Sequence, residues 1–118
     1  MTQWNDKQPI FLQIRQQIIE LILNNTIAEG EAVPSIRQVA TDLSVNPLTV
    51  TKAYQSLVDA GIVEKKRGLG MYVKEGARAE LLAQERKKFL SEEWPRILKQ
   101  IGALDLNIQD LVGKEEQK

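Results

Sequence analysis

The chain has 118 residues, with 16 Lys and Arg against 16 Asp and Glu, no His and no Cys, so its formal charge is zero. Without Cys there are no disulfides, thiolate metal sites or thiol nucleophiles, and without His the usual general base and metal ligand are missing. Zinc catalysis, cysteine hydrolysis and serine–histidine triads are thereby excluded, and no metal or cofactor is expected. Only 5% of the residues are aromatic, so the core has to be aliphatic. No apolar run approaches the roughly 20 residues that span a bilayer. The N-terminus lacks the basic start and apolar centre of a signal peptide. The expectation is a soluble cytoplasmic protein that is not an enzyme. Glu92-Glu93 is the only adjacent carboxylate pair in a plausible ordered helix. Neighbouring helical positions point about 100° apart, so the two do not converge on one site.

A compositional seam lies near Gly76. Residues 1–77 hold 8 basic and 8 acidic side chains, and residues 78–118 again hold 8 and 8. Neither half has the global basicity of a typical nucleic-acid binder, so any basic signal is local.

In chain order, the first predicted helix covers residues 9–25, where Ile14, Ile18, Leu21 and Ile22 recur at helical spacing and Pro9 suits the first turn. Gly30 and Pro34 mark a loop. A second helix starts after Ser35, a natural N-cap, with Ile36, Val39, Ala40 and Leu43 on one face. Ser44, Val45 and Asn46 turn the chain. Asn46 then caps a third helix that has Pro47 in its first position and Val50, Ala53, Tyr54 and Leu57 on its buried side. Gly61 is the expected left-handed stop. Two short β-branched runs, 62–66 and 71–74, flank Arg67-Gly68-Leu69-Gly70 and predict a hairpin in which Val63 and Tyr72 face the helices.

Helix, short helix, three-residue turn, capped helix and two-stranded wing are the parts of a winged helix-turn-helix. The major groove of B-DNA admits one α-helix, so the third helix buries one stripe and leaves the other for bases. Pro47, Leu48, Thr49, Thr51 and Lys52 fall on that outer side. Leu48 can meet a thymine methyl group, and the two threonines can donate to phosphates or base edges. Ser35 stands at a helix N-terminus, whose outward N–H groups suit a phosphate. Arg37 lies off the apolar stripe of its helix, free to reach a guanine or a phosphate. Lys65, Lys66 and Arg67 bring three charges to the hairpin tip.

Three ordered stretches, residues 33–40, 45–50 and 68–73, read Val-Pro-Ser-Ile-Arg-Gln-Val-Ala, Val-Asn-Pro-Leu-Thr-Val and Gly-Leu-Gly-Met-Tyr-Val. They resemble the GntR family of bacterial transcription regulators over about residues 10–73. The resemblance implies DNA contact through Ser35 and Arg37, through the first turns of the third helix from Asn46, and through Arg67 and Gly68 on the wing, beside Lys66 from the charge at the tip. Two positions depart from the family pattern. Ile36 stands where Glu is frequent, and Asn46-Pro47 stand where Ser-Arg is frequent, which implies a different operator sequence. The 41 residues after Ala77 are too few for the large effector domain common in the family. They resemble instead the short-tailed YtrA-like subgroup, whose helical tail serves dimerisation.

The tail predicts a helix over residues 78–101, disturbed at Pro95, and a last helix capped by Asn107 with Asp110. Leu82, Phe89, Leu90, Trp94, Ile97, Leu98, Ile101 and Leu111 are its candidate dimerisation residues. A segment this short cannot by itself enclose a drug-sized pocket of roughly 300 Å³; a small-molecule effector at the dimer interface or between the tail and the DNA-binding domain, and control with no ligand at all, both stay open. The expected architecture is mainly α with a small β-hairpin: a winged helix-turn-helix DNA-binding domain over 1–76 and a short helical dimerisation tail over 77–118. The function expected is sequence-specific binding of double-stranded DNA as a homodimer on an inverted repeat, most simply as a repressor. Its rival is a winged-helix protein-interaction module that binds no DNA, a reading that zero net charge favours slightly.

Overall fold

The computed structural model describes residue 4 and residues 6–116. They form two compact units, Met1–Leu82 and Ala83–Lys118.

The first unit begins with helix α1 (Ile10–Leu23), which contains neither Gly nor Pro and buries Ile14, Ile18, Ile19 and Ile22 along one side. Helix α2 (Ile36–Leu43) starts where the Ser35 hydroxyl accepts from the Gln38 N–H at 3.0 Å. It stops at Ser44, whose φ of +55° breaks the helical path. Helix α3 (Pro47–Asp59) is capped by Asn46, whose Oδ1 accepts from the Leu48 N–H at 2.9 Å, and Val50, Ala53, Tyr54 and Leu57 are its buried residues. α3 is the hub of the unit, packing on α1, α2 and strand β1 (Val63–Lys66). Trp4 is half-buried against the same core.

Strand β1 pairs antiparallel with β2 (Gly70–Val73), with Val63 opposite Val73 and Glu64 opposite Tyr72. Side chains alternate faces along a strand. Val63 and Val73 are therefore the pair buried on the helices, and Tyr72 turns to the other face, contrary to the sequence expectation. There the Lys66 ammonium sits 4.7 Å from its ring centroid. A second departure lies in residues 30–33, expected as plain loop. The Val73 N–H donates to Glu31 O and the Val33 N–H to Met71 O, both at 2.9 Å, and Ala32 bridges to Tyr72. The segment covers the outer edge of β2 and ties the wing to the residues that launch α2.

Helix α4 (Ala77–Lys88) is anchored by its first turns. Ala77 and Leu81 are buried in the core. Arg78 Nε donates to Leu23 O at 2.9 Å, and the Glu29 carboxylate accepts the Arg78 N–H at 3.0 Å. Bonds from the Gly76 and Arg78 backbone hold the Glu29 carboxyl below its ordinary range.

In the second unit the end of α4 leads into a π-helical turn, Phe89–Glu93, then α5 (Trp94–Ala103) and α6 (Ile108–Glu116). The expected disturbance at Pro95 takes this form. Pro95 has no N–H for the carbonyl four residues back, and its ring crowds that carbonyl. The wider turn just before it lets the Trp94 N–H reach Phe89 O, five residues back. Phe89 and Trp94 stack with ring centroids 6.2 Å apart. Asn107 starts α6 as expected, its Oδ1 accepting from the Gln109 N–H at 2.8 Å. Among the described residues of α5 and the π turn none is buried.

Candidate nucleic-acid interface

Ser35, Arg37, Asn46, Pro47, Leu48, Thr51, Lys52, Lys66, Arg67 and Gly68 are all exposed, Thr49 is half-buried, and all belong to the first unit. The start of α3 projects Pro47 and Leu48 into solvent because Asn46 spends its side-chain oxygen on the cap and so fixes where the first turn begins. A shallow depression of about 500 Å³ joins the first turns of α2 and α3, lined by Ile36, Arg37, Ala40, Thr41, Val45 and Pro47. A second, of about 270 Å³, lies between the start of α2 and the wing, with Ser35, Ile36 and Tyr54 on one side and Lys65, Leu69 and Met71 on the other. α2, α3 and the wing thus meet along shared grooves.

Tyr54 positions these parts. It is 1% exposed, and its hydroxyl donates to Pro34 O at 2.6 Å, linking the middle of α3 to the residue before the α2 cap. Burial pushes its pKa up to about 12. A buried tyrosine hydroxyl usually finds a partner, and that was the one signal in the sequence for this bond.

Several expected contact groups are committed within the fold. The Thr51 hydroxyl donates to Pro47 O at 2.9 Å, so its proton stays in the helix. The Lys52 ammonium lies 4.3 Å from the Phe11 ring centroid on α1. At the wing tip Gly68 and Gly70 have φ of +76° and +104°, and the Leu69 N–H donates to Lys66 O at 2.9 Å. These two glycines are required by conformation, since other residues adopt such angles only under strain. Leu69 was not among the expected site residues; it is 69% exposed at that tip.

The expected dimerisation residues are distributed over both units. Leu82 is half-buried at the end of the first. In the second, Phe89, Leu90, Leu98 and Leu111 are exposed, and Trp94, Ile97 and Ile101 are half-buried. Among the described residues no group of three or more acidic side chains could hold a metal ion. No helix there is long and apolar enough to cross a membrane.

Comparison with known proteins agrees with this geometry. The family described as "Bacterial regulatory proteins, gntR family" matches residues 11–73. The HTH-type transcriptional repressor YtrA of Bacillus subtilis is 45% identical over 74 residues, which cover 63% of this chain and 57% of that protein. The uncharacterized HTH-type transcriptional regulator YhcF of the same organism is 31% identical over 110 residues, covering 93% of this chain and 89% of that protein. Among solved structures, a GntR family transcriptional regulator from Listeria monocytogenes superposes with a TM-score of 0.72 at 25% identity, covering 98% of this chain and 99% of that one. With a winged helix-turn-helix, the expected order of motifs and a family match over more than half its length, the chain belongs to the GntR family of bacterial, DNA-binding transcriptional regulators.

Proposed function

We propose that the protein is a cytoplasmic repressor that binds an inverted-repeat operator as a homodimer, with residues 1–76 contacting DNA and residues 77–118 joining the subunits. One observation carries this reading. The exposed first turn of α3, the capped start of α2 with Arg37, and the basic wing tip lie on one unit and border two depressions that share Ile36. In this reading Asn46, Pro47, Leu48 and Thr49 enter the major groove. Ser35 and the N-terminal N–H groups of α2 take a phosphate. Arg37 reads a base or a phosphate, and Lys66, Arg67 and Gly68 approach the minor groove or the backbone. Thr51, Lys52 and Lys66 serve DNA less directly, since the proton of the first and the ammonium groups of the other two are already engaged.

The dimer rests on the tail. Phe89, Leu90, Leu98 and Leu111 leave apolar surface in water, and a second copy would cover it along with Trp94, Ile97 and Ile101. A two-fold pair sets its recognition helices roughly 34 Å apart, one turn of DNA, which matches an inverted repeat. The name of YtrA is that of a repressor, and a repressor acts by occupying a promoter.

Selection of duplexes from a random pool by the full chain tests the reading. The expected product is an inverted repeat with half-sites about one turn apart, bound with an affinity that falls steeply with salt as phosphate contacts release counterions. Arg37→Ala should cost about 1–3 kcal/mol if Arg37 reads a base, and less if it meets phosphate. Enrichment of no duplex would leave the winged-helix protein-interaction reading in its place.

A further inference from the structure

Leu48 and Leu69 are the two most exposed large apolar side chains among the described residues, at 76% and 69%. One stands on the first turn of α3 and the other at the wing tip, the two points at which the proposed interface would meet base edges. Isolated exposed leucines are ordinary on protein surfaces; what these two have around them is not. At the start of α3 two hydrogen-bonding side-chain groups are spent inside the protein. Asn46 Oδ1 accepts from the Leu48 N–H, the Thr51 hydroxyl donates to Pro47 O, and Pro47 itself offers no donor. At the wing, Leu69 is flanked only by Gly68 and Gly70, so no neighbouring side chain widens the tip. Exposed Lys65 and Arg67 adjoin it with charge that suits phosphates.

We propose, on the basis of the DNA-binding reading above, that this protein reads its operator at both points through apolar contact. Leu48 meets thymine methyl groups in the major groove, and Leu69 enters the minor groove at A·T pairs. The chemistry of the grooves sets both preferences. Thymine is the only base with an apolar group on its major-groove edge. In the minor groove both kinds of pair carry acceptors, but only G·C adds the guanine 2-amino group, which projects from the floor and would lose its water to a leucine without gaining a partner. The minor groove is only about 6 Å wide, and a Gly-Leu-Gly tip is slender enough to enter it. Apolar wedges, leucine among them, are an established means of minor-groove binding. The preferred half-site therefore carries thymine under the start of α3 and A·T pairs under the wing.

The test alters one chemical group in one groove at a time. Duplexes selected by the full chain are remade with uracil at each thymine in turn, which removes only the methyl group. At the wing steps they are remade with A·T, inosine·cytosine or guanine·cytosine, where inosine lacks only the 2-amino group. Wild type should lose about fourfold in affinity for each contacted methyl, and Leu48→Ala should be insensitive to the same replacements. At the wing, A·T and inosine·cytosine should bind alike and guanine·cytosine about tenfold more weakly. Leu69→Ala should shrink that gap while leaving the salt dependence, and hence the phosphate contacts, unchanged. Indifference to every uracil, an inosine·cytosine penalty equal to that of guanine·cytosine, or a gap that survives in Leu69→Ala would overturn the proposal and leave DNA binding standing. Failure to enrich any duplex would instead remove the DNA-binding reading itself, and this proposal with it.

Discussion

Tyr54 couples the geometry of the interface to its stability. Its ring is buried in the core while its hydroxyl holds Pro34 O, so one bond adds to the packing that joins α3 to the start of α2. Tyr54→Phe leaves that carbonyl without its partner, and should cost about 1 kcal/mol in chemical denaturation. The pH dependence follows from the direction of its shift. The folded pKa lies near 12 against an ordinary 10.0, so the folded state holds the proton more tightly. Its contribution is complete below pH 10.0 and is lost as the pH climbs toward about 12. Denaturation midpoints across that window should fall more steeply for wild type than for Tyr54→Phe. The caps at Ser35 and Asn46 were legible in the sequence because capping is local chemistry, acting over two or three residues. The placing of Lys52 over Phe11, from helices far apart in sequence, had no such local signal.

Among the elements, α3 carries the start that matters most, and stability and binding can be separated there. Asn46→Ala removes the cap and should destabilise the domain by about 1 kcal/mol, seen as a shifted denaturation midpoint. Asn46→Asp keeps an accepting oxygen, so the midpoint should hold. The added negative charge at the proposed major-groove contact should nevertheless weaken operator binding in a filter or gel assay. Equal affinity for Asn46→Asp and wild type would place the start of α3 away from DNA. The wing illustrates what local pattern leaves open. Its two runs and its glycines were visible, but which of Val63 and Tyr72 faces inward is a matter of register, and a one-residue difference changes the face. The covering segment at residues 30–33 has too few residues to show an alternating pattern, and it becomes strand-like only because β2 offers a free edge. Pro95 announced a disturbance of the tail helix, while the form of that disturbance, a π turn ahead of the proline, depended on which carbonyl the Trp94 N–H could reach.

For the molecule as a whole, the two units differ in how they bury apolar surface. The first has a closed core of aliphatic side chains around Tyr54, whereas α5 and the π turn bury nothing fully among the described residues. A second copy is the proposed cover. Leu90→Glu with Leu98→Glu puts two charges on that surface and should reduce the light-scattering mass from dimer to monomer, with operator affinity falling because the half-sites no longer act as one. The thermal transition of the first unit should persist, since neither residue belongs to its core. An unchanged dimer mass in the doubly substituted protein would exclude this face as the interface.

The sequence by itself determined the number and order of the helices in the first unit, the turn between α2 and α3, the hairpin and the family, because these rest on periodicity, caps, glycine conformations and motif order within short windows. Only the tertiary structure decided which polar groups remain available to a partner. Thr51, Lys52 and Lys66 read as outward donors in the linear pattern, yet each found an acceptor or a ring inside the fold. Leu48 and Leu69 were left as the bare side chains at the two leading points. The physical reason is that the face a residue occupies is set by spacing along the chain, whereas the competition for its hydrogen bonds and charge is settled by what folding brings beside it.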